Sequence, residues 1–124
     1  MFALATMEAG LTPPIEYKIA TGSAELGEAM VLSSGKLTRC GATAKPTFVV
    51  VGCKNAAGEV PVIRVQDYMN FETTLQADGK SLKVGSKVTI HSDGLQVTAT
   101  TDSGVAEIIS MPATAAGSRV VVKF

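Results

Sequence analysis

A chain of 124 residues can bury one hydrophobic core without disulfides or a structural metal. Eleven basic residues balance eleven acidic ones, so the chain lacks the basic footprint of nonspecific nucleic-acid binders and of proteins held on anionic membranes. Apolar residues make up 46% with no Trp, and apolar runs such as 48–51 and 120–122 are strand-sized, far short of a membrane-spanning helix.

Residues 1–22 read differently from the rest. They are assigned as an N-terminal arm or edge segment, followed by a single β domain over 23–124. The opening apolar stretch is broken by Glu8 and has no basic residue before Lys18, unlike a secretory signal, so synthesis in a cytoplasm is expected. A helix over 3–9 would be too short to stand alone. Pro13-Pro14 stops any helix and favours an extended path into Ile15, Tyr17 and Ile19, which recur at every second position.

From Gly27 onward, short β-branched runs alternate with glycine turns. Strands are expected at 29–33, 36–40, 47–52, 60–65, 71–75, 87–91, 96–100, 105–110 and 118–124. Ser34-Gly35, Ala57-Gly58 and Asp93-Gly94 mark tight turns. The Asp93-Gly94 turn makes 87–91 with 96–100 the most clearly signalled hairpin. Pro46, Pro61 and Pro112 are placed at strand starts or edges, where a missing N–H is tolerated. The spacing implies an all-β fold, a small sandwich or barrel of short antiparallel strands with an extended N-terminal arm. Residues 26–38 and 84–98 echo one another: a glycine opens a strand, a polar glycine turn reverses it, and Thr sits on the return.

Little in the sequence points to a reaction centre. His91-Ser92-Asp93 holds the residue types of a catalytic triad, but three consecutive residues at a hairpin tip project to alternate faces instead of converging. Asp78, Asp93, Asp102 and Glu59 stand singly and read as turn residues. Cys40 and Cys53 match no zinc spacing; reduced, partly buried thiols and a disulfide both fit. Phosphate-cradling loops and calcium loops are absent, no cofactor is implied, and the chain is read as a non-enzyme. The aromatics Phe2, Tyr17, Phe48, Tyr68, Phe71 and Phe124 are scattered and read mostly as core.

One family resemblance stands beside this reading. It rests on Val84-Gly85-Ser86-Lys87-Val88, Gly94-Leu95-Gln96-Val97-Thr98-Ala99-Thr100, Ser103-Gly104-Val105-Ala106 and Ala115-Ala116-Gly117-Ser118-Arg119-Val120-Val121-Val122-Lys123-Phe124. Met30-Val31-Leu32-Ser33-Ser34-Gly35-Lys36-Leu37 with Lys45-Pro46-Thr47 looks like a first half of the same pattern. Together these segments resemble the small capsid decoration, or cement, proteins of tailed bacteriophages over residues 27–124. The resemblance implies a virion protein on the outer capsid surface, made in the host cytoplasm. Its partner would be the major capsid protein; it would form a homo-oligomer, with a trimer favoured, and contact neither nucleic acid nor membrane. Leu11, Pro13, Pro14, Ile15 and Tyr17 are the expected capsid contacts, through addition of a strand to an exposed sheet edge. On this reading, deleting residues 1–14 leaves the β domain folded and weakens capsid binding. The competing reading is another phage structural β module: a head–tail joining or tail subunit, or a host- or carbohydrate-binding domain.

Overall fold

The computed structural model describes residues 1–7 and 13–124. Its strands are β1 (Ala3–Met7), β2 (Ile15–Ile19), β3 (Ala29–Ser33), β4 (Lys36–Arg39), β5 (Phe48–Val50), β6 (Glu59–Arg64), β7 (Met69–Thr74), β8 (Lys87–Val88), β9 (Ala106–Ser110) and β10 (Arg119–Lys123). They form two five-stranded antiparallel sheets, ordered β1-β7-β10-β9-β8 and β2-β6-β5-β3-β4. The sheets pack against each other as an open sandwich, so the sandwich reading holds and the barrel reading does not.

Period-two alternation builds the shared core. Met69 and Phe71 of β7, Ala106 and Ile108 of β9, and Val120 and Val122 of β10 turn inward from the first sheet. Ala29, Val49 and Ile63 meet them from the second. The second sheet is apolar on both faces, because Met30, Phe48, Val50, Val60 and Val62 project the other way into a second buried cluster. This explains the unbroken apolar run at 48–51, since a strand buried on both faces loses its alternation.

Curling of the second sheet encloses that cluster. Ala20, just past β2, forms a parallel bridge with Leu37 of β4, and Thr21 N–H donates to Leu37 C=O at 2.9 Å. At the other end, Lys18 Nζ and the Arg64 guanidinium lie 5.7 and 4.7 Å from the centre of the Phe48 ring. Glu16 holds both cations, Arg64 at 3.1 Å and Lys18 at 3.6 Å.

Several expectations need correction. Ala3–Met7, where a helix would have been too short to stand alone, form the strand β1 paired with β7. Among the described residues no arm extends away from the sheets; β1 and β2 each form one edge of a sheet, as the edge-segment alternative for residues 1–22 has it. Residues 96–100 form no strand, although the turn expected there exists: His91 N–H donates to Gln96 C=O at 2.8 Å, and Gly94 has φ +71°. Beyond it, Val97 bridges both Ile90 and Leu75. Thr98 Oγ1 accepts from Thr100 N–H at 3.0 Å, a local bond that competes with a regular ladder. Pro61 lies in β6, between β2 and β5 and not at an edge. Its carbonyl accepts from Val51 N–H at 2.9 Å, so its hydrogen-free nitrogen faces residue 51, just beyond the end of β5, where the ladder stops with this one bond of the pair made.

The hairpin turn at Ser34-Gly35 has φ of 51° and 78°, the double positive φ of a type I′ turn. The sequence echo also has a structural counterpart. Gly27 (φ +81°) and Gly85 (φ +95°) each occupy the third position of a turn closed by Glu28 N–H to Glu25 C=O and Ser86 N–H to Lys83 C=O. That position demands positive φ in a type II turn. Each turn leads into its strand, β3 or β8.

Candidate interaction surface

β2 carries its apolar residues outward. Ile15, Tyr17 and Ile19 are 57%, 61% and 48% exposed, while Glu16 and Lys18 point to the half-buried face over Phe48. An edge strand with one solvated face ordinarily does the reverse. Arg64 explains the inversion: it holds Glu16 by two hydrogen bonds of 3.1 and 3.2 Å. Those bonds keep the Glu16 carboxyl below its ordinary range, against the opposing effect of burial.

The main chain of β2 is open as well. Pro61 lies opposite Tyr17 and turns its carbonyl toward Val51. In an antiparallel pair of that kind both residues point their N–H and C=O away from each other. Tyr17 therefore presents its donor and acceptor at the sheet edge, and β6 is the only strand laddered to β2 among the described residues. Among the described residues the edge is free around Ile15 and Tyr17 and is met by Leu37 only at Ala20.

Beside this row lies an apolar groove of about 210 Å³, floored by Phe2, Leu4, Val49 and Ile63, with Met1, Leu26 and Val51 at its rim. Ile15 pairs with Ile63, so the exposed row and the groove adjoin. Scattered exposed apolar residues need no explanation, but a contiguous patch marks an interaction surface. Of the expected contacts, Ile15 and Tyr17 lie in this patch. Pro13 is half-buried and Pro14 exposed just before β2, and Leu11 lies outside the described residues. The alternation at Ile15, Tyr17 and Ile19 signalled the row; the groove was missed, because its walls come from four separate segments.

The hairpin tip at His91-Ser92-Asp93 has a structural role. Ala29 N–H donates to Gly94 C=O at 2.8 Å, and Arg39 Nη1 donates to Ser92 C=O at 3.4 Å. A side chain at Gly94 would bring a Cβ to 2.9 Å from Glu28 Cγ and 3.0 Å from Arg39 Cγ, so glycine permits this docking. On the other side Thr73 Oγ1 donates to Leu95 C=O at 3.0 Å, so the tip is tied to both sheets. Asp93 is consumed locally: its Oδ1 accepts from Leu95 N–H at 2.8 Å and its Oδ2 from Gln96 Nε2 at 3.0 Å. Burial pushes the Asp93 carboxyl up, and the bonds from Leu95, Gln96 and His91 together outweigh it, leaving it below its ordinary range. Ser92 makes no side-chain hydrogen bond with His91, although His91 Nδ1 lies 3.2 Å from Asp93 Oδ1.

Sequence reading also missed the pair beneath the tip. Glu28 is 1% exposed, its Oε1 is 3.1 Å from Arg39 Nη2, and its Oε2 has no hydrogen-bond partner. Cys40 and Cys53 are both free thiols. Cys40 is buried, as expected in part, with Sγ 3.0 Å from Ala44 C=O, whereas Cys53 is exposed. Among the described residues, no three His, Cys, Asp or Glu side chains are grouped to hold a metal, and no helix is long and apolar enough to cross a membrane.

Comparison with protein-family models, with curated proteins and with solved structures gives no match in any of the three.

Proposed function

We propose that this chain is a virion structural protein that binds the outer surface of a tailed-phage capsid and stabilises the shell. The observation that carries the proposal is the open edge of β2, with Ile15, Tyr17 and Ile19 turned outward beside an apolar groove. Such an edge can accept an extended capsid segment as an added strand. Main-chain bonds at Tyr17 would supply affinity, and the apolar row would supply the side-chain fit. The neutral charge of the chain suits a shell protein that avoids DNA. The resemblance of residues 27–124 to decoration proteins supports the same reading. A homo-oligomer, with a trimer favoured, would turn a weak contact into a lasting one across a symmetric shell.

Co-sedimentation tests this directly. Purified protein is mixed with undecorated expanded capsids and with unexpanded procapsids. Binding to expanded capsids that is lost in Tyr17→Glu, with the variant still folded, supports the reading. Co-sedimentation with neither particle sinks it.

A further inference from the structure

A second concavity lies on the first sheet, remote in sequence from β2. Lys87 of β8 and Lys123 of β10 both stand opposite Glu107 of the intervening β9. Residues directly opposite on neighbouring strands share a face, so the three form a row of cation, anion and cation across three strands. Lys45 reaches the same place from the segment between β4 and β5. With Gly104, Val105 and Phe124, these residues line a cavity of about 300 Å³.

The charge there is unbalanced. Lys45, Lys87 and Lys123 share one carboxylate side chain, that of Glu107, in a chain whose basic and acidic residues cancel overall. None of the three ammonium groups forms an ion pair among the described residues, as is also true of Lys36, Lys54 and Lys83, but only these three lysines meet in one recess. Like charges brought together in a recess repel one another unless a counter-charge joins them, and a recess focuses their field.

The walls are fixed. Val105 N–H donates to Val88 C=O at 3.0 Å, and Gly104 N–H to Thr101 C=O at 3.2 Å. A Cβ at Gly104 would stand 2.2 Å from the Lys87 carbonyl oxygen. Only glycine allows this loop to lie flat on β8 and leave the recess its shape.

We infer that this recess is a binding site for a free, phosphate-sized oxyanion, with Lys45, Lys87 and Lys123 as its cationic ligands. Lysine suits this role as a mobile point charge with three donors. The recess admits a small ion and is too small for a duplex. The site is independent of β2, and it stands or falls whether or not the chain binds a capsid.

The test is a titration of isotope-labelled protein with inorganic phosphate, followed by amide resonances, against sodium chloride at matched ionic strength. The expected result is saturable shifts at Lys87, Gly104, Val105 and Lys123 with phosphate and not with chloride. The double variant Lys87→Gln/Lys123→Gln should bind at least about tenfold more weakly, since each charge-assisted contact is worth more than the free energy of a tenfold change. Glu107→Gln removes the repelling carboxylate side chain and should tighten binding. Shifts that never saturate, or that appear equally at Lys36 and Lys80, overturn the inference. So does a double variant that binds as the parent does, or a Glu107→Gln variant that binds no tighter.

Discussion

Phe2 packs edge-on against Phe124, with ring centroids 5.4 Å apart and planes at 63°, and Phe124 lies in turn 5.6 Å from Phe71. This cluster makes the strand after Phe2 part of the shared core. Phe2→Ala is therefore expected to lower stability by about 3–5 kcal/mol, the usual loss for a buried aromatic, read from chemical denaturation. Deleting residues 1–14 should do at least as much, because it also removes β1 from β7. That reverses the expectation that the β domain stays folded without residues 1–14.

Tyr17 offers a substitution that separates main chain from side chain. Its N–H points to the open edge, so Tyr17→Pro removes a donor that no strand uses among the described residues. Tyr17→Ala removes the ring and keeps the donor. Both variants should stay folded by circular dichroism. If docking is by strand addition, the proline variant should lose capsid binding more completely than the alanine variant in co-sedimentation. Equal loss would assign the contact to side chains alone.

Arg39→Ala should destabilise by about 1–3 kcal/mol, measured by denaturation midpoint, because it strands a buried carboxylate. Glu28 is already paired through only one oxygen. Arg39 also tethers Ser92 C=O, so amide exchange at residues 91–96 should quicken in this variant while the β7–β10 ladder stays protected.

The pH response follows from Asp93. Its folded pKa lies below the ordinary value, so its contribution is complete above the unfolded carboxylate range. That contribution is lost as pH falls through the folded value. Because the side chain is one-third exposed, solvent screening holds the effect to about 1 kcal/mol or less. Asp93→Asn should be less stable than the parent at pH 7, and the difference should close in strong acid. A constant difference across the range would show that charge plays no part.

The thiols should behave oppositely. Burial pushes Cys40 up to about 11, so it stays protonated at neutral pH and a thiolate-directed reagent should miss it. Cys53 is exposed and should react at once. One fast equivalent, and a second only after unfolding, is the expected titration with an aromatic disulfide.

Much of the strand pattern was legible. The expected 29–33 strand matches β3 in full, and Ser34-Gly35 makes the turn that the sequence demands. The failures share a cause: neighbours distant in sequence decided them. Nothing local marks Ala3–Met7 as a strand, because its ladder partners lie in β7. Val97 serves Ile90 and Leu75 at once, so the return of the hairpin is not a regular strand. At the candidate surface, the alternation of Ile15, Tyr17 and Ile19 was visible, but only Arg64 and Phe48 reveal which set faces out. The lysine recess depends on two strand registers across three strands and had no local signal.

The β2–β6 ladder has a directional consequence. Five residue pairs, from Ile15 opposite Ile63 to Ile19 opposite Glu59, join the two strands. Traction along β2 strains all five pairs together, whereas traction across the sheet opens them one after another. A load gripping Ile15 and Tyr17 would therefore meet strong resistance along the strand and little across it. The orientation in which a neighbour holds this edge decides whether the join acts as a rivet or as a zip.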